Sequence, residues 1–236
     1  MITTLFKYTL IGLYTAVLSI VAMILIVVDR SFKSYFLLSR IFGRGVLALS
    51  RVKLVVKGRE NMDPSKNYVY VSNHSSMFDI PALQIAFPDR AAIVFKKELI
   101  KVPIFGWQLA IGPYIMIDRK RPDEAMRSIQ LAKQRMEKKN LSVLLFAEGT
   151  RSKTGEVQPF KRGAFYLASR VGYDIIPVSI SGATRLLPKG EFLLKSGTIT
   201  VHFDKPIPTD GIKNKIDEIA LMEKVRDVVI KNKTDL

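Results

Sequence analysis

An uncharged run of 21 residues, 8–28, is the feature that most limits what this chain can fold into. As an α-helix the run is roughly 31 Å long, which matches the hydrocarbon thickness of a bilayer. A cleaved signal peptide is the alternative. The run is long for a signal peptide, however, and Asp29 and Arg30 occupy the place where small residues should precede a cleavage site. The run therefore predicts an uncleaved membrane anchor, which either crosses the bilayer or enters one leaflet as half of a helical hairpin.

The next segment, residues 31–50, has the pattern of an amphipathic helix. Basic residues recur at intervals of seven, four and seven, which places them on one helical face: Lys33, Arg40, Arg44 and Arg51. Such a helix lies in the lipid interface with its cations near phosphates, or else it covers the core of the following domain. Basic residues after the apolar run also predict that the rest of the chain is cytoplasmic. We therefore expect an anchor at residues 1–50, in an inner or plasma membrane, and one domain at residues 51–236.

The charge of the chain indicates an anionic partner. Its 37 Lys and Arg residues exceed its 21 Asp and Glu residues by 16. Nucleic-acid modules interleave aromatic residues with a basic stripe and lack a long apolar run, so membrane lipids are the predicted partner and nucleic acid is not. The absence of cysteine excludes disulfides, a thiolate nucleophile and thiolate metal sites.

Short β-rich segments alternate with helical patterns after residue 51. The predicted strands are residues 52–57, 68–72, 91–95, 114–117, 142–146, 174–179 and 198–203. The predicted helices are residues 80–86, 123–139, 163–171 and 213–231, the last with Ile216, Ile219, Met222, Val225 and Val229 at the spacing of a core-facing stripe. This alternation predicts an α/β domain with a mixed, largely parallel sheet flanked by helices. Ligands of such folds gather at the carboxyl ends of the strands.

A histidine and an aspartate follow the second predicted strand. His74 and Asp79 are separated by four residues, and a turn between them can bring the carboxylate to the imidazole. That contact fixes the tautomer and leaves the other ring nitrogen as a proton acceptor. The alternative is structural, with Asp79 capping a helix that begins at Ile80-Pro81. The pair predicts a general base, although its spacing alone does not decide between the two interpretations.

A second polar cluster, residues 146–152, follows the strand at 142–146. Gly149 allows backbone amides to approach an anion, and the guanidinium of Arg151 can bind a phosphate with two parallel hydrogen bonds. Glu148 either holds that arginine or orients a substrate hydroxyl. The alternative is a solvated polar loop.

Two further cations, Lys97 and Arg119, are candidates for phosphate contacts. They lie in a stretch that also contains Pro103 and Gly106. The alternative for this stretch is an ordinary solvated face.

Taken in order, these segments resemble the 1-acylglycerol-3-phosphate acyltransferases of the glycerolipid acyltransferase superfamily, also called lysophosphatidic acid acyltransferases. The matching blocks are residues 73–79, the set Lys97, Pro103, Gly106 and Asp118-Arg119, and residues 146–152, 160–164 and 176–178. In the third block Ala147 stands where the family usually has proline, which removes no functional group. The resemblance runs from about residue 52 to residue 208.

The resemblance implies that a thioester, acyl-CoA or acyl carrier protein, donates an acyl chain to the free sn-2 hydroxyl of lysophosphatidic acid. His74 would act as base and Asp79 would orient it. The resemblance also implies an acceptor and phosphate site made of Lys97, Arg119, Glu148, Gly149, Thr150 and Arg151. No metal or cofactor is expected. Without cysteine or a Gly-x-Ser-x-Gly elbow, direct transfer is expected. The amides of residues 73–76 and of Gly149 are candidates for the oxyanion donors, which the sequence does not assign.

Two alternatives stay open at this point. Another enzyme of the same superfamily would take glycerol-3-phosphate or a different lysolipid as its acceptor. A non-catalytic, membrane-anchored anion binder would have the same charge. The acyl donor, the preferred chain length and the oligomeric state are not decided by the sequence.

Overall fold

Seven strands form one sheet at the centre of the molecule. The computed structural model describes residues 2–118 and 122–234. Its strands are β1 (Val52–Lys57), β2 (Val69–Ser72), β3 (Ala91–Lys96), β4 (Ile115–Ile117), β5 (Ser142–Phe146), β6 (Ile175–Ser181) and β7 (Gly197–Phe203). Its helices are α1 (Ile2–Val28), α2 (Lys33–Ser50), α3 (Asp79–Ala86), α4 (Phe105–Ile111), α5 (Pro122–Lys139), α6 (Gly163–Val171), α7 (Ala183–Leu186) and α8 (Lys215–Lys231).

The strand order is β1-β7-β6-β2-β5-β3-β4. Strands β6, β2, β5, β3 and β4 are mutually parallel, while β7 pairs antiparallel with β6 and parallel with β1. The central strands β2 and β6 are buried at every position, which is why they appear in the sequence as continuous apolar runs. The predicted mixed, largely parallel sheet is confirmed.

The direction of each crossover assigns the helices to the two faces of the sheet. From β2 to β3, and then to β4, the chain moves along the sheet in one direction, through α3 and α4. From β4 to β5 and on to β6 it moves in the opposite direction, through α5 and α6. Because parallel crossovers are right-handed, opposite directions place these two pairs of helices on opposite faces. Helix α8 packs beside α6 and β6.

Helices α1 and α2 form an antiparallel hairpin. The ammonium of Lys7, near the start of α1, lies 3.5 Å from the carbonyl of Ser50, at the end of α2. Halfway along, the hydroxyl of Tyr14 donates to the carbonyl of Ile41 at 2.7 Å. One face of α1 packs against α2 and α4, whereas the other is apolar and exposed along its length, including Leu13 and Val17. Helix α1 is long and apolar enough to cross a membrane.

Helix α2 has two different faces, one of which covers the core of the domain, as one of the two sequence interpretations predicted. Its inner face packs on α3 and contributes Tyr35, Phe36, Val46 and Leu47 to the core. Its outer face remains exposed and combines cations with apolar side chains: Lys33, Leu37, Ile41, Arg44 and Ala48. Arg40 departs from the expected lipid-facing row, because its guanidinium donates to the carbonyls of Phe87, Pro88 and Asp89 just beyond α3. Arg40 therefore caps the C-terminal end of α3.

Three features differ from the sequence prediction, and the first is the four-residue helix α7, which was not predicted. Helix α4 was not predicted, because its seven residues lie between prolines and glycines and are too few for a clear helical period. In α8 the core-facing stripe is Glu218, Leu221, Val225 and Val229. Ile216 and Ile219 are exposed, so the predicted stripe was correct at Val225 and Val229 and wrong at these two isoleucines.

Candidate active site

The candidate site lies between two neighbouring strands whose following connections lead to opposite faces of the sheet. Strands β2 and β5 are adjacent and parallel, with Ser72 opposite Phe146 in the register. The loop after β2 leads to α3 on one face, and the loop after β5 leads to α6 on the other. Such a switch point leaves a crevice outside the carboxyl ends of the two strands. The two polar clusters of the sequence occupy this crevice.

His74 and Asp79 are in direct contact. The imidazole Nδ1 lies 2.7 Å from Oδ2 of Asp79, which also accepts the backbone N–H groups of Ser75 and Ser76 at 2.7 and 2.9 Å. Asp79 is fully buried, whereas 17% of the His74 side chain is exposed. The imidazole stacks on the ring of Phe146, with 3.9 Å between ring centroids. A carboxylate at Nδ1 leaves Nε2 as an acceptor, so the arrangement can remove a proton from a hydroxyl.

The carboxylate of Glu148 connects the two loops by hydrogen bonds. Its Oε1 accepts the backbone N–H of His74 at 2.7 Å, and its Oε2 accepts that of Gln158 at 3.3 Å. The side chain is buried. Burial raises the pKa of Glu148 from 4.5 to about 7, even though both hydrogen bonds act to lower it. Glu148 therefore joins the histidine loop to the residues before α6, a role that differs from the two considered from the sequence.

The loop 149–152 lies against the histidine. The backbone N–H of Ser152 donates to the carbonyl of His74 at 2.8 Å. Gly149 has a φ of +73°, a conformation that glycine adopts without strain, and it turns the chain directly after Glu148. Thr150 is exposed and Arg151 is half-buried. The structure thus brings His74, Asp79, Glu148, Gly149, Thr150 and Arg151 together.

Lys189 is a member of this cluster that the sequence did not indicate. Its ammonium donates to Oγ1 of Thr150 at 3.0 Å and to the carbonyl of Arg151 at 2.7 Å. Nearby, the hydroxyl of Ser76 donates to the carbonyl of Leu187 at 2.9 Å. Lys189 follows the site by almost forty residues, in a Pro-Lys-Gly turn, and nothing in one sequence separates such a lysine from a solvated one.

Lys97 lies at the same edge of the sheet, just beyond β3. Its ammonium is 3.3 Å from the carboxylate of Asp118. Arg119, the other cation predicted for phosphate binding, lies outside the described residues.

Most of the amides considered as oxyanion donors are already engaged. The N–H groups of His74, Ser75 and Ser76 donate to the carboxylates of Glu148 and Asp79. The N–H of Gly149 donates to the carbonyl of Phe146 at 3.0 Å. These four amides hold the loops in shape, and the expectation that they face an oxyanion does not fit this geometry.

An apolar cavity of about 120 Å³ lies beside the site, between the α1–α2 hairpin and the sheet. Its lining includes Ile80, the residue after Asp79, and comes from residues between Thr15 and Tyr114 along the chain. Two buried hydrogen bonds cross its wall, from Tyr35 to Gln108 at 2.7 Å and from Gln84 to Tyr114 at 3.0 Å. The cavity has room for a slim apolar group, and Ile80 connects its lining to Asp79 along the chain.

Within residues 2–118 and 122–234, no group of three or more His, Asp or Glu side chains has the proximity of a metal site.

Comparison with known proteins assigns the fold and site to a class. The family model described as "Acyltransferase" matches residues 53–181, more than half of the chain. The chain belongs to this acyltransferase family.

Particular relatives narrow the class further. The 1-acyl-sn-glycerol-3-phosphate acyltransferase of Saccharomyces cerevisiae is 32% identical over 222 residues, covering 93% of this chain and 71% of the yeast protein. That of Limnanthes douglasii is 34% identical over 197 residues, covering 83% of this chain and 69% of the plant protein. The crystal structure of the 1-acyl-sn-glycerophosphate (LPA) acyltransferase PlsC from Thermotoga maritima superposes with a TM-score of 0.80 at 26% identity, covering 98% and 92% of the two chains.

Proposed function

We propose that this chain transfers a fatty acyl group from a thioester to the free sn-2 hydroxyl of lysophosphatidic acid, giving phosphatidic acid. The contact between His74 and Asp79, placed at the switch point of the sheet and against the loop that carries Arg151, is the observation that supports it most directly. The names of the relatives from yeast, Limnanthes and Thermotoga agree with this reaction.

In the proposed mechanism His74 is the general base. Asp79 holds the Nδ1 proton, so Nε2 takes the proton of the acceptor hydroxyl while the oxygen attacks the thioester carbonyl. A C–O bond forms and the C–S bond breaks. The imidazolium, stabilised by the Asp79 carboxylate, then returns the proton to the leaving thiolate. No covalent acyl-enzyme, metal or cofactor takes part in this scheme.

The acceptor phosphate is proposed to lie on the loop 149–152. Arg151 supplies a guanidinium that can bind two phosphate oxygens, and Thr150 supplies a hydroxyl. Lys97, just beyond β3, is proposed to add positive charge to this site, and Arg119 is proposed as a further phosphate contact from its place in the sequence. Glu148 contributes indirectly, because it fixes the backbone that connects His74 to this loop.

The acyl chain is proposed to occupy the cavity beside Ile80. Its lining is largely apolar and includes Ile80, the residue that follows Asp79 in the chain. The thioester carbonyl would then lie at the imidazole while the chain extends between the hairpin and the sheet. Acyl-CoA and acyl carrier protein present the same thioester, and both are negatively charged partners for a chain with a net charge of +16.

The α1–α2 hairpin is proposed to hold the site at the membrane surface, with the catalytic domain on the cytoplasmic side. Because the inner face of α1 packs on α2 and α4, only its outer face is available to lipid. This packing favours entry into one leaflet over a crossing helix. The substrate and the product are both lipids, so such a position would let them exchange with the bilayer directly.

The test is thiol release from palmitoyl-CoA by the detergent-solubilised protein, with and without lysophosphatidic acid. We expect release to depend on the acceptor and to fall by about a hundred- to ten-thousandfold in His74→Ala. Asp79→Asn should fall by at least about a hundredfold, and the double variant should be no worse than His74→Ala, since Asp79 acts through the histidine. Full activity in a folded His74→Ala protein would contradict the mechanism.

Further arms of the assay separate the alternatives. Release that requires acyl carrier protein in place of CoA would identify the donor without changing the reaction. In a competition between acceptors, preference for glycerol-3-phosphate would replace the proposed acceptor. Absence of transfer with both donors and both acceptors would leave the anion-binding alternative.

A further inference from the structure

The loop of residues 188–196, between α7 and β7, has two large apolar side chains that are exposed to solvent. Phe192 is 55% exposed and Leu193 is 48% exposed, whereas Leu187 and Leu194 on either side of them are buried. The large apolar side chains of this region are Leu186, Leu187, Phe192, Leu193 and Leu194. The structure places Leu186, Leu187 and Leu194 in the core, whereas Phe192 and Leu193 form the exposed tip of the loop.

The loop is held in a defined shape. The N–H of Lys195 donates to the carbonyl of Leu186 at 3.0 Å and closes the loop at its base, and that of Glu191 donates to the carbonyl of Pro188 at 3.1 Å. Lys189 is bound to Thr150 and Arg151, as described above. The exposure of Phe192 and Leu193 is therefore a property of a fixed turn attached directly to the candidate phosphate loop.

The tip is continuous with the exposed face of α1. The rings of Phe192 and Tyr8 stack with 4.7 Å between centroids and 28° between planes. Beside Tyr8, the outer face of α1 exposes Leu5 and Phe6 by 60% and 64%. Both strands β7 and β1 begin at this edge of the sheet, with Gly197 opposite Val52, so the loop and the start of α1 lie at the catalytic edge.

The charges around the tip fit a lipid surface better than a protein groove. Lys195 follows the tip and is exposed, Lys189 precedes it, and the exposed Glu191 lies directly before Phe192, so two lysines and one glutamate surround the tip. Aromatic and aliphatic side chains flanked by lysines are typical of segments that enter the boundary between headgroups and acyl chains, where the cations contact phosphates.

We propose that the 188–196 loop is a second membrane contact, which extends the exposed face of the α1–α2 hairpin and in which Phe192 and Leu193 enter the leaflet. This inference rests on the membrane attachment proposed above. Two contacts on one edge fix the tilt of the domain as well as its distance from the bilayer. The loop thereby holds the candidate phosphate site, through Lys189, at the depth of lipid phosphates.

Fluorescence quenching by brominated lipids tests this contact directly. Trp107 is the only tryptophan of the chain, so Trp107→Phe provides a silent background for the full-length protein. In that background we compare Phe192→Trp with Ile216→Trp, a matched control whose parent residue is 77% exposed on α8. In vesicles of phosphatidylcholine and phosphatidylglycerol, shallow brominated acyl chains should quench the fluorescence of Phe192→Trp and leave that of Ile216→Trp unchanged.

A third variant separates this proposal from the membrane attachment on which it rests. Val17 is exposed on the outer face of α1, so Val17→Trp reports on the hairpin. Quenching of Val17→Trp without quenching of Phe192→Trp would overturn the loop contact and keep the anchor. Absence of quenching in both would overturn the anchor itself.

Activity provides an independent readout. The double substitution Phe192→Ser and Leu193→Ser should lower turnover of lysophosphatidic acid in vesicles by about fivefold or more, since it removes two apolar side chains from the lipid boundary. Turnover of the same acceptor in detergent micelles should change less than about twofold, because no lipid boundary is present. The control pair Ile216→Ser and Ile219→Ser should alter neither. An equal loss in both media would indicate a packing defect and contradict the proposal.

Discussion

At the scale of residues, the site is organised by two carboxylates with different tasks. One carboxylate oxygen of Asp79 accepts three N–H groups. One of these belongs to the imidazole of His74, whose orientation Asp79 fixes. The carboxylate of Glu148 accepts two backbone N–H groups. One of them is that of His74, so Glu148 fixes the main chain of the same histidine. The four-residue spacing predicted the first contact. It did not predict the second, because the partner of Glu148 is a backbone group 74 residues away and no side-chain pattern records it.

The raised pKa of Glu148 predicts a pH-dependent stability. In the folded chain the carboxyl is protonated below a pH of about 7, whereas in the unfolded chain it ionises near 4.5. Folding therefore takes up a proton between these values, and the contribution of Glu148 to stability is lost as the pH rises through 7, by up to about 3 kcal/mol. The thermal unfolding midpoints of the wild type and of Glu148→Gln are compared at several pH values. The wild-type midpoint minus the variant midpoint should decrease as the pH is raised from about 5 to about 8. A difference that does not change with pH would contradict the assignment.

At the scale of elements, close approach between α2 and α3 fixes the hairpin to the domain. A Cβ on Gly43 would lie 2.6 Å from the carbonyl oxygen of Pro81, so only glycine fits at this crossing. The sequence predicted both helices, and it predicted the strands to within two residues at each end, because their apolar periods are clear. It did not predict which glycine makes the crossing, since that depends on the distance between elements far apart in the chain.

Gly43→Ala should therefore destabilise the protein. The new methyl group forces α2 away from α3 at a cost of about 1–3 kcal/mol. Gly12→Ala is the matched control, because nothing lies within 4 Å of a Cβ there and alanine favours the helix. Thermal unfolding in detergent should show a lower midpoint for the first variant and an equal or higher midpoint for the second. Similar midpoints for both would show that α2 moves freely on α3.

At the scale of the whole molecule, the cavity joins the membrane segment to the catalytic domain. Its lining comes from α1, α2, α3, β3 and α4, so no continuous motif marks it. For this reason the sequence predicted an acyltransferase but not where its acyl chain would lie or end. The two catalytic loops, by contrast, are short segments that follow strands, and the general rule for strand ends was enough to bring them together.

Substitution of Ala22 tests the proposed acyl site. Ala22 lies on the inner face of α1, is buried and lines the cavity, so Ala22→Leu shortens the space available to a chain. The ratio of kcat/KM for palmitoyl-CoA to that for decanoyl-CoA should fall by about tenfold or more, as expected when methylene groups are excluded from an apolar pocket. Val21→Leu, on the outer face of the same helix, should leave the ratio unchanged. An unaltered ratio in folded Ala22→Leu would place the chain elsewhere.

The position of β5 in the sheet has a consequence for synthesis of the chain. Strand β5 lies between β2 and β3, although it follows both in sequence. A nascent chain that has emerged only as far as α5 has no strand to fill the gap beside His74, and the loop that carries Glu148 and Arg151 does not yet exist. The apolar helix α1 leaves the ribosome more than a hundred residues earlier. A product terminated before β5 therefore lacks half of the candidate crevice, although the apolar helix that is proposed to bind the bilayer is already complete in it.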